Sequence, residues 1–388
     1  MWEYNLSIDK INLIGKYLTV DKEIVYNNPD EAIVTKSNYS FINFVRFISM
    51  IGVVWAHIRF MPDNLNTEQF LARLPNFMKI EYIFFMQFFK FGVICFFLIS
   101  GYLLGDKIQS SEPYQYFKRR FNVTAKPYIV VVLIILVAES ISFFLVHGNR
   151  SGTEFYALMK YLVLDGALWY LPNYLISLTV LLCCTKFIHK IWFGGILFLA
   201  TLIYTALTVY NPAYEVSHTS AIFGFVFYLW LGVYIRQNNL INQIYKIKIN
   251  WLILITLSLF VLSSIESYTL LEKNNTQYFN VLRVVNQFYS ISMFCLLVKI
   301  SQRGITFNFF NPRAETFGIY LYHSIFIIFF LPRMHSLLMK YLQVDIYNMS
   351  NYILLFLLYF LVCYLFTVFL VRFLIKYKLG YLSLNQHS

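Results

Sequence analysis

Residues 351–375 read NYILLFLLYFLVCYLFTVFLVRFLI, a run in which Arg372 is the only charged side chain. As a helix rising 1.5 Å per residue, a run of this length exceeds the roughly 30 Å hydrocarbon thickness of a bilayer. Backbone groups in lipid must be paired internally, so a run of this kind is a membrane-spanning helix. Working outward, similar runs recur at 42–61, 83–104, 127–147, 167–187, 191–210, 219–235, 250–265, 281–300 and 316–334, separated by short polar connectors. Composition agrees: 59% of the 388 residues are apolar and 20% aromatic, whereas 13% are charged, against roughly 25% charged in soluble domains. The expected fold is all-α, a polytopic transmembrane helix bundle of about ten spans. It divides into an amino-terminal tail (1–41), one membrane-embedded domain (42–375) and a short carboxyl-terminal tail (376–388). The very short turn between 187 and 191, and an apolar patch at 157–164 suited to a re-entrant or interfacial piece, set the range at nine to eleven.

The formal charge of +12 raises the question of nucleic acid. The Lys and Arg residues are spread over many connectors and form no single basic stripe, which argues against it. Their distribution instead reports orientation. The segments 1–41, 105–126, 186–190, 236–249, 299–315 and the end from Arg372 hold 20 of the 31 Lys and Arg residues, and the opposite connectors hold 8. By the positive-inside rule both termini are expected in the cytoplasm. The cysteines all lie in apolar runs, where they act as small hydrophobes and offer no disulfide framework or metal spacing. The first 40 residues lack an apolar core beside a small-residue cleavage site, so they read as a tail and not a signal peptide.

An ionisable group at membrane depth is costly unless paired or wetted, so each one is a candidate functional residue. Arg46 and His57 share the first span. Eleven residues apart, about three helical turns, they project from nearly the same face roughly 16 Å apart along the axis. Two readings stand: the pair lines a path through the bilayer, or each side chain snorkels to its nearer interface. Lys90 and Glu139, in the second and third spans, are expected to pair with each other. His323 in the ninth span reads as a core imidazole satisfied by a neighbouring hydroxyl. Arg283 reaches headgroups or binds an anionic ligand. Trp169 and Tyr170 are interfacial aromatics or a stacking surface for a sugar. The connector with Lys107, Lys118, Arg119, Arg120 and Lys126 enforces topology or cradles phosphates. The Ser100-Gly101 pair lets two helix backbones approach closely.

Taken in order, these residues carry a resemblance. Arg46-x10-His57, Phe96-Phe97-Leu98-Ile99-Ser100-Gly101-Tyr102, the Lys118-Arg119-Arg120 loop with Pro127-Tyr128, Leu168-Trp169-Tyr170-Leu171, and Gly318-Ile319-Tyr320-Leu321-Tyr322-His323 together resemble acyltransferase family 3. This membrane-bound family O-acylates bacterial cell-surface glycans, and the resemblance runs from about residue 41 to about 375. Two departures stand out: Asn122 and Val123 lie where relatives carry a second basic residue, leaving Lys126 as its substitute, and Ala167 replaces a polar residue before Leu168. The resemblance implies a multi-pass protein of the bacterial cytoplasmic (inner) membrane that moves an acetyl group from cytoplasmic acetyl-CoA to a hydroxyl of an extracytoplasmic or lipid-linked surface glycan. Acyl-CoA is then a substrate and no cofactor is held permanently. It further implies His57 as general base, or less favourably as acyl carrier, and Arg46 as donor-positioning or charge-stabilising. Ser100, Tyr102, Arg119, Arg120 and Lys126 fall on the donor side, and Trp169, Tyr170 and His323 on the acceptor or pore side.

The main rival is a transporter or flippase of a lipid-linked glycan, which discontinuous helices with matched Gly/Pro breaks would favour. A glycan polymerase or ligase would carry its key residues in a large outer loop. The longest outer connectors here, 62–82, 148–166 and 335–350, are short.

Overall fold

The computed structural model describes residues 29–61, 65–108, 112–146, 151–164, 166–211, 221–305, 310–377 and 379. Residues 1–28, most of the expected amino-terminal tail, and nearly all of the expected carboxyl-terminal tail lie outside the described residues. Among the described residues the chain is all helical. The order is α1 (Pro29–His57), α2 (Thr67–Arg73), α3 (Asn76–Gln87), α4 (Gly92–Gly105), α5 (Pro113–Val146), α6 (Gly152–Leu164), α7 (Tyr170–Cys183), α8 (Ile191–Thr208), α9 (Ile222–Gln237), α10 (Leu240–Lys246), α11 (Ile249–Glu272), α12 (Val284–Ser301), α13 (Pro312–Ile325), α14 (Leu331–Leu342) and α15 (Met349–Lys376). A π-helical turn, Phe326–Phe330, joins α13 to α14.

Among the described residues, seven stretches are long and apolar enough to cross a membrane: 76–105, 113–144, 191–208, 249–272, 284–301, 312–342 and 349–376. The expected first, fourth and sixth spans correspond to shorter helical pieces, 41–57, α7 and α9. At 1.5 Å per residue α7 reaches about 21 Å, short of the roughly 30 Å core. Among the described residues, seven stretches thus meet both length and hydropathy, and two shorter apolar helices, 41–57 and 170–183, stand beside them. The apolar patch at 157–164 lies within a helix of its own, α6.

Packing follows from where side chains are absent. A Cβ on Gly232 would lie 2.2 Å from the Leu98 carbonyl oxygen and 2.9 Å from the Gly101 Cα. A Cβ on Gly101 would meet the Leu229 carbonyl oxygen at 2.0 Å. The α4 and α9 backbones thus touch, as the Ser100-Gly101 pair suggested. Gly232→Val should force them apart at a cost of about 1–3 kcal/mol. The check is a lowered melting temperature in size-exclusion thermal-shift measurements, with an unchanged melting temperature counting against the crossing. One turn further, Arg236 pairs with Asp106 and donates to the Tyr102 hydroxyl at 3.0 Å, closing the same joint.

The α1 helix is seated by aromatic packing. Trp55 lies among Phe85, Phe89, Phe356 and Phe360, with ring centroids 4.6–5.5 Å away. Gly92 lets α4 come against α1, since its Cβ would meet the Ser49 carbonyl oxygen at 2.7 Å. At the other end Arg372 of α15 bonds Glu315 of α13 at 3.0 Å, beside the Gly318–Val371 contact.

Two expectations about buried charge are corrected. Lys90 does not pair with Glu139; its Nζ sits 4.9 Å over the Phe279 ring. It occupies the break between α3 and α4, while Glu139 of α5 has Arg333 as its nearby cation. Arg283 reaches neither headgroup nor ligand. It is fully buried, donating to the Gln87 side chain at 2.5 Å, the Ser263 carbonyl at 2.7 Å and the Asn280 carbonyl at 3.1 Å, with Glu266 at 3.6 Å. Gln87 in turn donates to Asn286 at 2.8 Å, and the Tyr289 hydroxyl caps the freed Phe88 carbonyl at 2.8 Å. The broken second span is therefore clamped from α11 and α12.

Candidate functional site

The α1 helix carries both Arg46 and His57 without interruption, so their roughly 16 Å axial separation stands. Around that helix the other candidates fall into two groups joined by a line of rings.

His57 closes α1. Its Nδ1 lies 2.8 Å from the Val53 carbonyl oxygen. A carbonyl only accepts, so Nδ1 carries the proton and Nε2 of the neutral ring offers a lone pair. His323 repeats the arrangement on α13, with Nδ1 at 2.6 Å from the Tyr320 carbonyl. Its Nε2 is buried with no hydrogen-bond partner among the described residues. The two imidazole centroids are 5.1 Å apart. Two lone-pair nitrogens cannot bond each other directly; a hydroxyl can donate to one of them, and a proton held on one ring can be donated to the other. His57 is half-buried and His323 fully buried, so His57 is the more accessible base. The expected hydroxyl partner of His323 is corrected: a backbone carbonyl holds one nitrogen, and the other has no hydrogen-bond partner among the described residues.

Toward Arg46 the line continues through rings. Tyr320 lies 5.8 Å from His323 and 5.7 Å from Tyr170, centroid to centroid. The Tyr170 hydroxyl is 3.4 Å from Ser100 Oγ, and Arg46 lies within electrostatic reach of that phenol. Tyr170 stacks on Tyr174 at 6.0 Å.

At the Arg46 end positive charge accumulates. Arg46 of α1 is near Arg120 of α5 and Arg313 of α13, and Lys107 in the connector after α4 is near Arg120, Arg119 and Arg313. Arg120 Nε donates to the Tyr116 hydroxyl at 3.0 Å, and both Arg119 and Arg120 lie over the Tyr116 ring, at 5.7 and 5.5 Å. Burial, then repulsion from Arg120, Arg119 and Arg313, holds the Lys107 ammonium below the ordinary lysine pKa. No carboxylate among the described residues forms an ion pair with Arg46, Arg119 or Arg120. Such a cluster is suited to a polyanion, above all phosphates.

Three sequence candidates fall elsewhere. Lys126 is exposed, and six residues of helix rotate it roughly 240° from Arg120. Tyr102 is buried and bound by Arg236, so it serves the α4–α9 joint and does not line an entrance. Trp169 is buried against Phe225 at 5.2 Å and supports Tyr170 from behind. Conversely, Arg313, Tyr320, Tyr174 and Tyr116 escaped sequence reasoning. Arg313 sits two positions past the α13 cap Asn311, whose side chain accepts from Ala314 N at 3.2 Å, and as one of several loop cations it carried only a topological signal.

A family model described as an acyltransferase domain matches residues 39–372. No curated protein and no solved structure matches the chain.

Proposed function

The chain belongs to acyltransferase family 3, and on that premise we propose that it moves an acetyl group from cytoplasmic acetyl-CoA to a hydroxyl of a surface or lipid-linked glycan across the bacterial inner membrane. The membrane acyltransferase class follows from the family match and the long apolar helices; donor, acceptor and compartment are our inference. One observation supports it most: residues from five helices, α1, α4, α5, α7 and α13, form a line from a cation cluster to a histidine pair. A phosphate-rich donor and an uncharged hydroxyl need those two ends.

In this reading Arg46, Arg119, Arg120, Lys107 and Arg313 hold the phosphates of CoA on the cytoplasmic side, an orientation that the Lys/Arg asymmetry supports. Ser100 and Tyr170 border the path of the thioester arm. His57 Nε2 takes the proton of the acceptor hydroxyl as its oxygen attacks the thioester carbonyl carbon. The C–S bond then breaks, the proton passes from His57 to the departing sulfur, and an ester and free CoA result. His323, 5.1 Å away, stabilises the transient imidazolium with its open nitrogen.

The test is release of free CoA from acetyl-CoA by membranes holding the protein, with and without deacylated surface glycan. Glycan-dependent release supports the reading, and glycan movement without thioester turnover would assign the chain to the transporter class. That rival draws on the interruptions at 88–91 and 326–330, neither of which contains proline. Arg120→Ala should raise KM for acetyl-CoA about ten-fold or more, since charged hydrogen bonds contribute about 1.5–3 kcal/mol, while leaving KM for acetyl-pantetheine, which lacks the nucleotide phosphates, little changed. Equal effects on both donors would remove Arg120 from phosphate binding.

A further inference from the structure

The His57 end of α1 holds a second set of cations that the transfer step does not use. Lys90, at the break between α3 and α4, is 5% exposed, and no carboxylate among the described residues pairs with it. Its contact with the Phe279 face offsets only part of the cost of burying an ammonium. Arg59 follows His57 by two residues, is exposed, and likewise has no carboxylate partner among the described residues. Both cations lie close enough to the His57 ring to act on its charge, and Arg59 also reaches Lys90, Tyr82 and Tyr352. Tyr352 is buried beside Tyr82, their ring centroids 5.5 Å apart and their hydroxyls interacting. Two cations without a carboxylate partner, a pair of buried phenols and the Phe279 ring thus lie at the same end of the bundle as the proposed base. The phosphates of a CoA donor would be held at the Arg46 end, about 16 Å away along α1, so this set is left for the other substrate.

We propose that Lys90 and Arg59 bind an oxyanion carried by the acceptor glycan, a sugar carboxylate or a phosphodiester, and thereby place a neighbouring hydroxyl at His57. The proposal rests on the acyltransferase reading and names the acceptor class for it. The bound anion neutralises the buried ammonium, so an acidic glycan gains affinity that a neutral one does not. The Tyr352 hydroxyl can donate to the same oxyanion or to a sugar oxygen beside it.

The test uses full-length protein in lipid nanodiscs, acetyl-CoA, and the surface glycan of the cells that make the protein, stripped of its esters by mild base. Three acceptors are compared: the glycan as isolated, after carbodiimide–borohydride reduction of its carboxylates, and after hydrofluoric acid cleavage of its phosphodiesters. We expect one treatment to raise acceptor KM at least ten-fold, carboxyl reduction identifying a carboxylate and acid cleavage a phosphodiester. Lys90→Met and, independently, Arg59→Gln should shrink that KM ratio toward one, whereas Lys90→Arg should keep most of it. Because Arg59 is exposed at a helix end, its variant reads the site even where the buried Lys90 substitution does not yield folded protein. Transfer to all three acceptors with equal KM would overturn the inference while leaving the acyltransferase function standing. Absence of glycan-dependent CoA release from any acceptor would remove the function, and this inference with it.

Discussion

His57→Ala should lower acyl transfer by about 10²–10⁴-fold, the range a positioned general base contributes, while the protein still inserts and elutes as a single folded species. The substitution removes one ring at the last turn of α1, and the aromatic packing that seats the helix is centred on Trp55 two residues earlier. Fold and chemistry are therefore separable at this position. Turnover at the wild-type rate would eliminate His57 as base and as acyl carrier. Those two roles are distinguished by incubating the protein with labelled acetyl-CoA and no acceptor. A base leaves the protein unlabelled, whereas an acyl carrier gains one acetyl mass on the His57 peptide. His323→Ala should have a smaller effect than His57→Ala, because His323 meets the acceptor only through its neighbour's ring.

Arg283→Met should be the most destabilising single change, by about 3–5 kcal/mol, the cost of leaving the partner of a buried ion pair uncompensated. Glu266 would then face the bundle interior with only the Tyr210 hydroxyl and the Val285 amide, the latter at 3.2 Å, to hold its charge. The Gln87 clamp on the broken second span would lose its strongest donor. Adding Glu266→Gln removes the stranded carboxylate, so Arg283→Met/Glu266→Gln should melt well above the single variant. Detergent-solubilised samples followed by thermal-shift chromatography give the comparison. A double variant no more stable than the single one would mean that the carboxylate is not what makes the loss costly.

Much of the site was legible in the chain because it lies on one helix. Spacing alone determines that Arg46 and His57 share a face, since helical periodicity is a local property and α1 has no break. The membrane class was equally legible, because hydropathy sums over neighbours in sequence. The span count asks for more than hydropathy: residues 41–57 and 170–183 are apolar but shorter than the other runs, and whether a run of that kind crosses depends on what flanks it in space.

Charge partners were misread for the same physical reason. Lys90 and Glu139 looked like a pair by depth, yet a depth estimate carries no azimuth, and rotation about each helix axis decides whether two side chains meet. Arg283 and Glu266 are close in the sequence and pair only because α11 and α12 run against each other. His323 belongs to the same class. Spacing alone read it as a core imidazole and only the family resemblance gave it an acceptor or pore role; the tertiary fold sets its ring 5.1 Å from that of His57.

By itself, then, the sequence determined that this protein is a bundle of apolar helices, which helix carries Arg46 and His57, and where positive charge gathers along the chain. The tertiary structure alone decided which helices touch, through glycines whose missing side chains admit a neighbouring backbone. It also decided which buried charges have partners and which do not. Local periodicity is written residue by residue, whereas contact between distant segments is settled by how whole surfaces fit.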